Sequence, residues 1–163
     1  MIPMKTKLTT LLLGASALAL FAVAPLVAHH AFGAEFDRDA PILIQGKITR
    51  LEWVNPHTWV HIETTMLVKA SDTIIPADPS AEVWAVEGGT PNTLLRRGLR
   101  RDCLTPGTEV IVDGYQTKDH SIKRANGRDI TFADGAKVFL GSSGTGAPYE
   151  AEIVQARQNE GRC

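Results

Sequence analysis

Two pairs of histidines give the sequence its clearest potential for chemistry. His29 and His30 are adjacent near the start of the chain, and His57 and His61 lie four residues apart. A neutral imidazole is the commonest side-chain ligand of transition metals. If processing made His29 the amino terminus, its amine and its imidazole could bind one ion together with a further imidazole. Three nitrogen donors of this kind suit Cu(II), so we expect copper ahead of zinc.

The third nitrogen of such a site could come from several positions. His30 can serve, although its adjacency to His29 makes joint ligation of one ion awkward. On a regular strand, His57 and His61 would point to the same side about 13 Å apart, so we expect at most one of them in a shared site. Oxygen ligands could come from two nearby carboxylates, Glu35 and Asp37. The histidines could instead be structural, bonding the backbone of a turn or lying in solvent.

Aromatic and basic side chains offer a second, metal-free kind of site. Exposed tryptophans on the second and third strands of an OB-type barrel can stack on a flat or extended ligand. Three tryptophans in a small domain more often fill its core, and that interpretation is the one we favour. An arginine-rich short helix could grip an anion, or it could present a solvated face. The candidate ligand or partner residues are Trp53, Asn55, Trp59, Trp84, Arg96 and Arg97.

No motif of a known catalytic type accompanies these residues. The sequence has no Gly-x-Ser-x-Gly elbow, no phosphate-binding loop, no dinucleotide fingerprint and no His-Glu-x-x-His pair. Its carboxylates are scattered, and spacing alone cannot pair them for acid–base chemistry. The sequence therefore predicts a binding protein without catalytic residues, and we rank an enzyme with a copper or zinc centre last.

The first 28 residues have the features of a secretory signal peptide. Lys5 and Lys7 form a short basic region, an apolar run follows from Leu11 to Leu26, and Ala28 offers a small residue for cleavage. The apolar run is short for a membrane-spanning helix, and no stop-transfer pattern follows it. We therefore expect a periplasmic or secreted protein, with no stable membrane insertion after the signal is removed. An uncleaved anchor is the alternative.

Removal of the signal would leave a mildly acidic chain. Two of the 17 basic residues are lost with it, so 15 remain against 18 acidic residues, a formal charge of −3. This excess of negative charge argues against non-specific binding to nucleic acid or to anionic lipid. Export permits a disulfide between the two cysteines, Cys103 and Cys163, although their spacing matches no zinc or thiol-redox motif.

Short strands bounded by glycine and proline turns dominate the rest of the chain. Alternating apolar residues predict strands over 41–53, 58–64, 82–87 and 109–115, with a last strand or hairpin over 128–140. Gly46 indicates a bend in the first strand, and residues 68–80 are expected to form a loop. A short helix is expected to begin at Thr90-Pro91, to pack its leucines inward and to end at Gly98.

Three strands, a helix and further strands follow one another in the order of an OB-type barrel. The predicted fold is therefore all-β, a small OB-like β-barrel over residues 41–142 with one short helix between strands three and four. A β-sandwich is the alternative. Residues 29–40 are expected to form an irregular arm, and residues 143–163 a flexible tail.

Several fragments together resemble a family of small exported bacterial proteins that is catalogued as a domain of unknown function. The fragments are Ala-His-His-Ala-Phe at 28–32, Glu-Trp-Val-Asn-Pro-His at 52–57, Gly-Thr-Pro-Asn-Thr-Leu-Leu-Arg-Arg-Gly at 89–98, Pro-Gly-Thr-Glu-Val at 106–110 and Gly-Tyr at 114–115. Ala31 stands where the family usually has serine, a conservative departure. The resemblance covers roughly residues 28 to 142. It implies an exported β-rich domain and brings no activity with it.

Two functions from different classes remain open. The first is metal binding through His29 with His57 or His61, with metal handling or delivery to a periplasmic partner as its role. The second is a metal-free domain that binds a small ligand or a partner protein through its tryptophan face and its arginine-rich helix. Converging histidines would favour the first function, and a tryptophan-lined groove the second.

Overall fold

The computed structural model describes residues 32–69, 82–141 and 147–148, together with the backbone of residues 74–76. The predicted signal peptide, both histidines at 29 and 30, and most of the predicted tail lie outside the described residues. Cys103 is disulfide-bonded. The other cysteine, Cys163, lies outside the described residues. Within the described ranges, no helix is long and apolar enough to cross a membrane.

Seven strands and three short helical segments make up the described residues. The strands are β1 (Phe36–Glu52), β2 (Trp59–Lys69), β3 (Ile74–Pro76), β4 (Val83–Glu87), β5 (Glu109–Thr117), β6 (Arg124–Phe132) and β7 (Lys137–Phe139). The helical segments are α1 (Phe32–Glu35), α2 (Pro91–Arg96) and a 3-10 turn (Arg101–Cys103). The predicted all-β class is confirmed. The short strand β3 lies where the sequence predicts a loop.

Backbone pairing joins five of the strands into a closed ring. β1 pairs antiparallel with β2 and β5, β2 pairs antiparallel with β4, and β5 pairs antiparallel with β6. The ring closes through a parallel pair, β4 with β6, in which Val86 lies opposite Ala125. β3 and β7 extend the sheet on β2 and β6. Because each ring strand has two neighbours, one face of each can turn to a shared interior.

Alternating residues on the ring strands supply that interior. Along β2, Val60 and Ile62 have no exposed surface, whereas Trp59 and His61 are only partly covered. Trp84 of β4 is also fully buried in the same apolar cluster. Removing these apolar side chains from water is the main force that stabilises the fold.

β1 begins earlier than the sequence predicts. The described part of the predicted irregular arm, residues 32–40, is helix α1 followed by strand from Phe36 onwards. Phe36 pairs with Thr117 of β5, and after an irregularity β1 pairs with β5 again from Pro41. The Phe32 ring is buried and meets the Tyr115 ring edge-on, with centroids 5.4 Å apart. Aromatic packing thus holds a stretch whose mixed polarity gives no strand pattern.

A β-bulge bends β1 at Gly46, as predicted. The pairing of β1 with β2 shifts its register between Gln45 and Gly46. A β-carbon at Gly46 would lie 2.0 Å from the backbone oxygen of Glu63 on β2. Only glycine allows the two backbones to approach so closely, and the bulge bends the strand at this point.

The helix α2 begins where the sequence predicts. The Thr90 side-chain oxygen accepts a hydrogen bond from the Thr93 backbone N–H at 3.2 Å, and so caps the helix. Gly98 follows the helix with a φ of 85°, in the left-handed region. Leu94 is fully buried, but Leu95, which was predicted to pack inward, is 48% exposed. Adjacent residues on a helix point in different directions, so only one of the two can face the core.

Candidate functional site

A histidine and a glutamate meet where β2 begins and β4 ends. The His57 Nδ1 atom lies 3.4 Å from the Glu87 Oε1 atom, and their side chains are only 20% and 9% exposed. Trp59 at the start of β2 pairs with Glu87 in the sheet. The loop before β2 is fixed because Thr58 forms two backbone hydrogen bonds with the Gly88-Gly89 segment. The contact between His57 and Glu87 is therefore set by the β2–β4 register.

Glu87 is a carboxylate in an unusual environment. Burial raises the pKa of its carboxyl from 4.5 to about 7, and the negative charge of Glu35 adds to this shift. Arg124 and a hydrogen bond from Asn126 lower the pKa and so oppose the shift. That hydrogen bond, from Asn126 Nδ2 to Glu87 Oε1, is long at 3.5 Å. The charged form of Glu87 is therefore only weakly compensated by its described neighbours.

The amino-terminal stretch passes the same end of the sheet. Glu35, the last residue of α1, forms an ion pair with Arg124 of β6, and Oε1 lies 2.7 Å from Nη1. The Arg124 guanidinium also stacks on the Trp59 ring, 4.9 Å from its centroid. Both charges act on Glu87, so these groups lie in one neighbourhood. We call it the histidine–glutamate site, comprising Glu35, His57, Trp59, Glu87, Arg124 and Asn126.

The loop between β5 and β6 holds this amino-terminal stretch in place. The Lys118 backbone N–H donates to the Glu35 carbonyl at 2.9 Å, and the Lys118 side chain donates to the Gly33 carbonyl. His120 Nε2 lies 3.2 Å from Asp37 Oδ2. These contacts fix the position of residues 33–37, which follow the two amino-terminal histidines in the chain.

His61 belongs to a different cluster. Its Nε2 atom lies 2.8 Å from Glu52 Oε1 and 3.0 Å from Arg50 Nη2, on the outer side of the β1–β2 pair. Arg50 and Glu52 also form an ion pair with each other, at 2.8 Å. Within the described part of the chain, no group of three histidine, cysteine, aspartate or glutamate side chains could hold a metal ion. His57 and His61 contact different carboxylates, Glu87 and Glu52, and so belong to separate clusters.

The tryptophans do not form an exposed aromatic face. Trp84 has no exposed surface, and its ring is covered by Lys123, whose Nζ lies 5.7 Å from the ring centroid. Trp53 is partly buried and packs against the main core cluster. Trp59 lies beneath the Arg124 guanidinium. Trp84 thus cannot stack on a ligand in this conformation, in keeping with the core role that the sequence favours.

The two candidate arginines differ in their surroundings. Arg97 Nη1 donates to the Gly141 carbonyl at 2.6 Å, and its guanidinium lies 4.3 Å from the centroid of the Phe139 ring. It therefore attaches the end of α2 to the segment after β7. Arg96 is exposed at the end of α2. Asn55 is also exposed, and its peptide bond to Pro56 is cis.

Three residues of the histidine–glutamate site were not predicted from the sequence. Glu87 and Asn126 lie opposite each other in the parallel β4–β6 pair, and Arg124 lies two residues earlier on β6. No motif marks these positions. One local signal could have indicated Glu87: it is a charged residue that directly follows the buried Val86 and precedes two glycines.

Fold and site together define an all-β domain with a buried histidine–glutamate contact beside its amino-terminal stretch. The sequence profile of a family of unknown function, DUF6152, matches residues 17–126. Because this match covers more than half of the chain, the protein belongs to that family. Searches of curated proteins and of solved structures give no match. The family description names no activity, so function has to be argued from the site.

Proposed function

We propose that this protein is an exported, OB-like β-barrel that binds a transition metal, copper ahead of zinc. The ligands are the amine and imidazole of a processed amino-terminal His29, together with the imidazole of His57. The barrel is supported by the closed ring of five strands, with one short helix between its third and fourth strands in chain order. Export is supported by the signal-like first 28 residues.

The position of Glu35 is the observation that carries this proposal. Its carboxylate is close enough to Glu87 to affect the pKa of that residue, and Glu87 contacts His57. Residues 32–35 form helix α1, so only three residues lead from Phe32 back to His29. An extended chain of that length spans at most about 11 Å. Under this proposal, these three residues bring the donors of His29 to His57.

The surrounding charges favour His57 over His61 as the strand ligand. Arg50 lies 3.0 Å from the same His61 nitrogen that contacts Glu52, and a guanidinium at that distance repels a metal cation. His57 instead has the Glu87 carboxylate at 3.4 Å, and the Arg124 guanidinium of the same site is paired with a second carboxylate, Glu35. Negative charge beside a neutral imidazole attracts a cation, and three nitrogen donors suit Cu(II). A site of this kind fits metal handling, with delivery to a periplasmic partner protein.

The test uses the processed protein purified from the exported fraction. Its intact mass gives the first residue, and titration with Cu(II) is followed by electron paramagnetic resonance. We expect a His29 start and one tight, nitrogen-rich site that is lost in His57→Ala and retained in the matched control His61→Ala. A different first residue, or weak binding that neither variant changes, would overturn the proposal and favour the metal-free interaction domain.

A further inference from the structure

A buried carboxylate faces the proposed strand ligand. We propose that Glu87 supplies an oxygen ligand to the same metal ion that His57 binds, an inference that rests on the proposed function above. Glu87 is the last residue of β4, whereas His57 lies in the loop before β2, and Glu87 is not part of the amino-terminal donor set. The described residues would then supply one nitrogen ligand, from His57, and one oxygen ligand, from Glu87.

Burial without a matching cation is the first argument. Glu87 is only 7% exposed, and transferring a carboxylate out of water is unfavourable unless an opposite charge or strong hydrogen bonds compensate it. Its hydrogen bond from Asn126 is long, at 3.5 Å. The guanidinium of Arg124 is paired with Glu35 at 2.7 Å and stacked on Trp59. A divalent cation beside Glu87 would provide the missing positive charge.

A comparison within the molecule sharpens this argument. Glu52 also contacts a histidine, His61, at 2.8 Å. Its side chain is 38% exposed, and the Arg50 guanidinium lies 2.8 Å from the same oxygen. Glu52 therefore has both solvent and a cation to compensate its charge. Glu87, by contrast, is buried, and among the described residues its direct ion-pair partner is His57, which is charged only if protonated.

Distance is the second argument. Metal–nitrogen and metal–oxygen bonds in such sites are about 2.0 to 2.2 Å long. Two ligand atoms of one ion therefore lie about 2.8 to 3.1 Å apart at a right angle and about 3.3 to 3.6 Å apart at a tetrahedral angle. His57 Nδ1 and Glu87 Oε1 are separated by 3.4 Å. The two atoms therefore have the spacing of two ligands at a tetrahedral angle on one ion. Asn126, which donates to Glu87 Oε1, would orient the carboxylate, as partners of metal ligands commonly do.

The experiment compares Glu87→Gln with Glu52→Gln in the processed protein. Glutamine keeps the shape of glutamate and removes its charge. We expect Glu87→Gln to weaken Cu(II) binding by about ten- to a hundredfold or more and to change the electron paramagnetic resonance parameters. Glu52→Gln should leave both unchanged. A chelator competition titration gives the affinities.

The outcomes separate this inference from the proposed function. If the wild-type protein has no tight Cu(II) site, the proposed function fails. If the wild type binds Cu(II) and Glu87→Gln matches it in affinity and spectrum, the proposed function stands and the role of Glu87 is refuted. If the Glu87→Gln variant does not fold, a measurement on the wild type alone tests the role of Glu87. Zn(II) should shift the carboxyl carbon resonance of Glu87, and an unchanged resonance at saturation would overturn the inference.

Discussion

Replacing Glu87 with glutamine should stabilise the metal-free domain at pH 8 and leave its stability nearly unchanged at pH 4. Burial raises the pKa of Glu87 to about 7 in the folded chain, against 4.5 for an ordinary glutamate. Between these values the folded protein binds more protons than the unfolded chain, so its free energy of unfolding falls as the pH rises. The stability associated with protonated Glu87 is fully present below pH 4.5 and is lost as the pH rises through about 7.

The size of the effect follows from that pKa difference. Each pKa unit corresponds to about 1.4 kcal/mol, so a shift from 4.5 to about 7 amounts to about 3 kcal/mol. Glutamine is neutral at every pH and resembles the protonated carboxyl. The difference in unfolding free energy between Glu87→Gln and the wild type should therefore grow by about 3 kcal/mol from pH 4 to pH 8.

Urea unfolding in the presence of a chelator measures this difference at both pH values. Glu52→Gln is the matched control, and because Glu52 is partly exposed and paired with Arg50, it should change stability by at most about 1 kcal/mol. A Glu87→Gln variant that is equally destabilised at pH 4 and pH 8 would refute the reasoning. The carboxylate would then be well compensated in the fold, and the argument for a cation beside it would lose its basis.

Three further changes test the elements around the site. Gly46→Ala should lower the unfolding free energy by about 3 kcal/mol, because its β-carbon would lie 2.0 Å from a backbone oxygen. The control Gly33→Ala, whose β-carbon would have nothing within 4 Å, should cost less than about 0.5 kcal/mol. Equal losses for the two variants in urea unfolding would contradict this. Thr90→Ala should cost about 1 kcal/mol through loss of the helix cap, and full stability in the same assay would speak against a capping role. Arg124→Gln should raise the pKa of Glu87 further, because Arg124 lowers it now; a carboxyl carbon titration by NMR that shows no upward shift would refute this.

Local patterns predicted the central part of each ring strand, although β6 begins at Arg124, four residues before the predicted start. The alternation of Val60 and Ile62 with partly covered residues defines β2 without reference to any other segment. The bulge at Gly46 and the cap at Thr90 are likewise local, since each depends on the conformational preference of one residue type. The start of β1 was missed because Phe36 is held by contacts with β5, far away in sequence.

The candidate site could be predicted only in part. His57 was identified because histidine is a recognisable metal ligand, but its separation from His61 depends on which carboxylates and guanidinium groups the sheet places beside each ring. Glu87 and Arg124 are close only because β4 and β6 pair in parallel, and their pairing joins segments about 40 residues apart. No spacing rule within one strand reveals such a contact.

Under the proposed function, two independent events complete the metal site. The contact between His57 and Glu87 is fixed by the β2–β4 register, so the folded domain provides it whatever precedes residue 32. The amine of His29 is different, because a peptide-bonded nitrogen has no lone pair to offer as an amine does. A chain that kept even Ala28 would retain the imidazoles and the carboxylate but would lose one of the three nitrogen donors. Cleavage at that bond would therefore create a ligand, and tight binding of Cu(II) would begin only in the compartment where the signal has been removed.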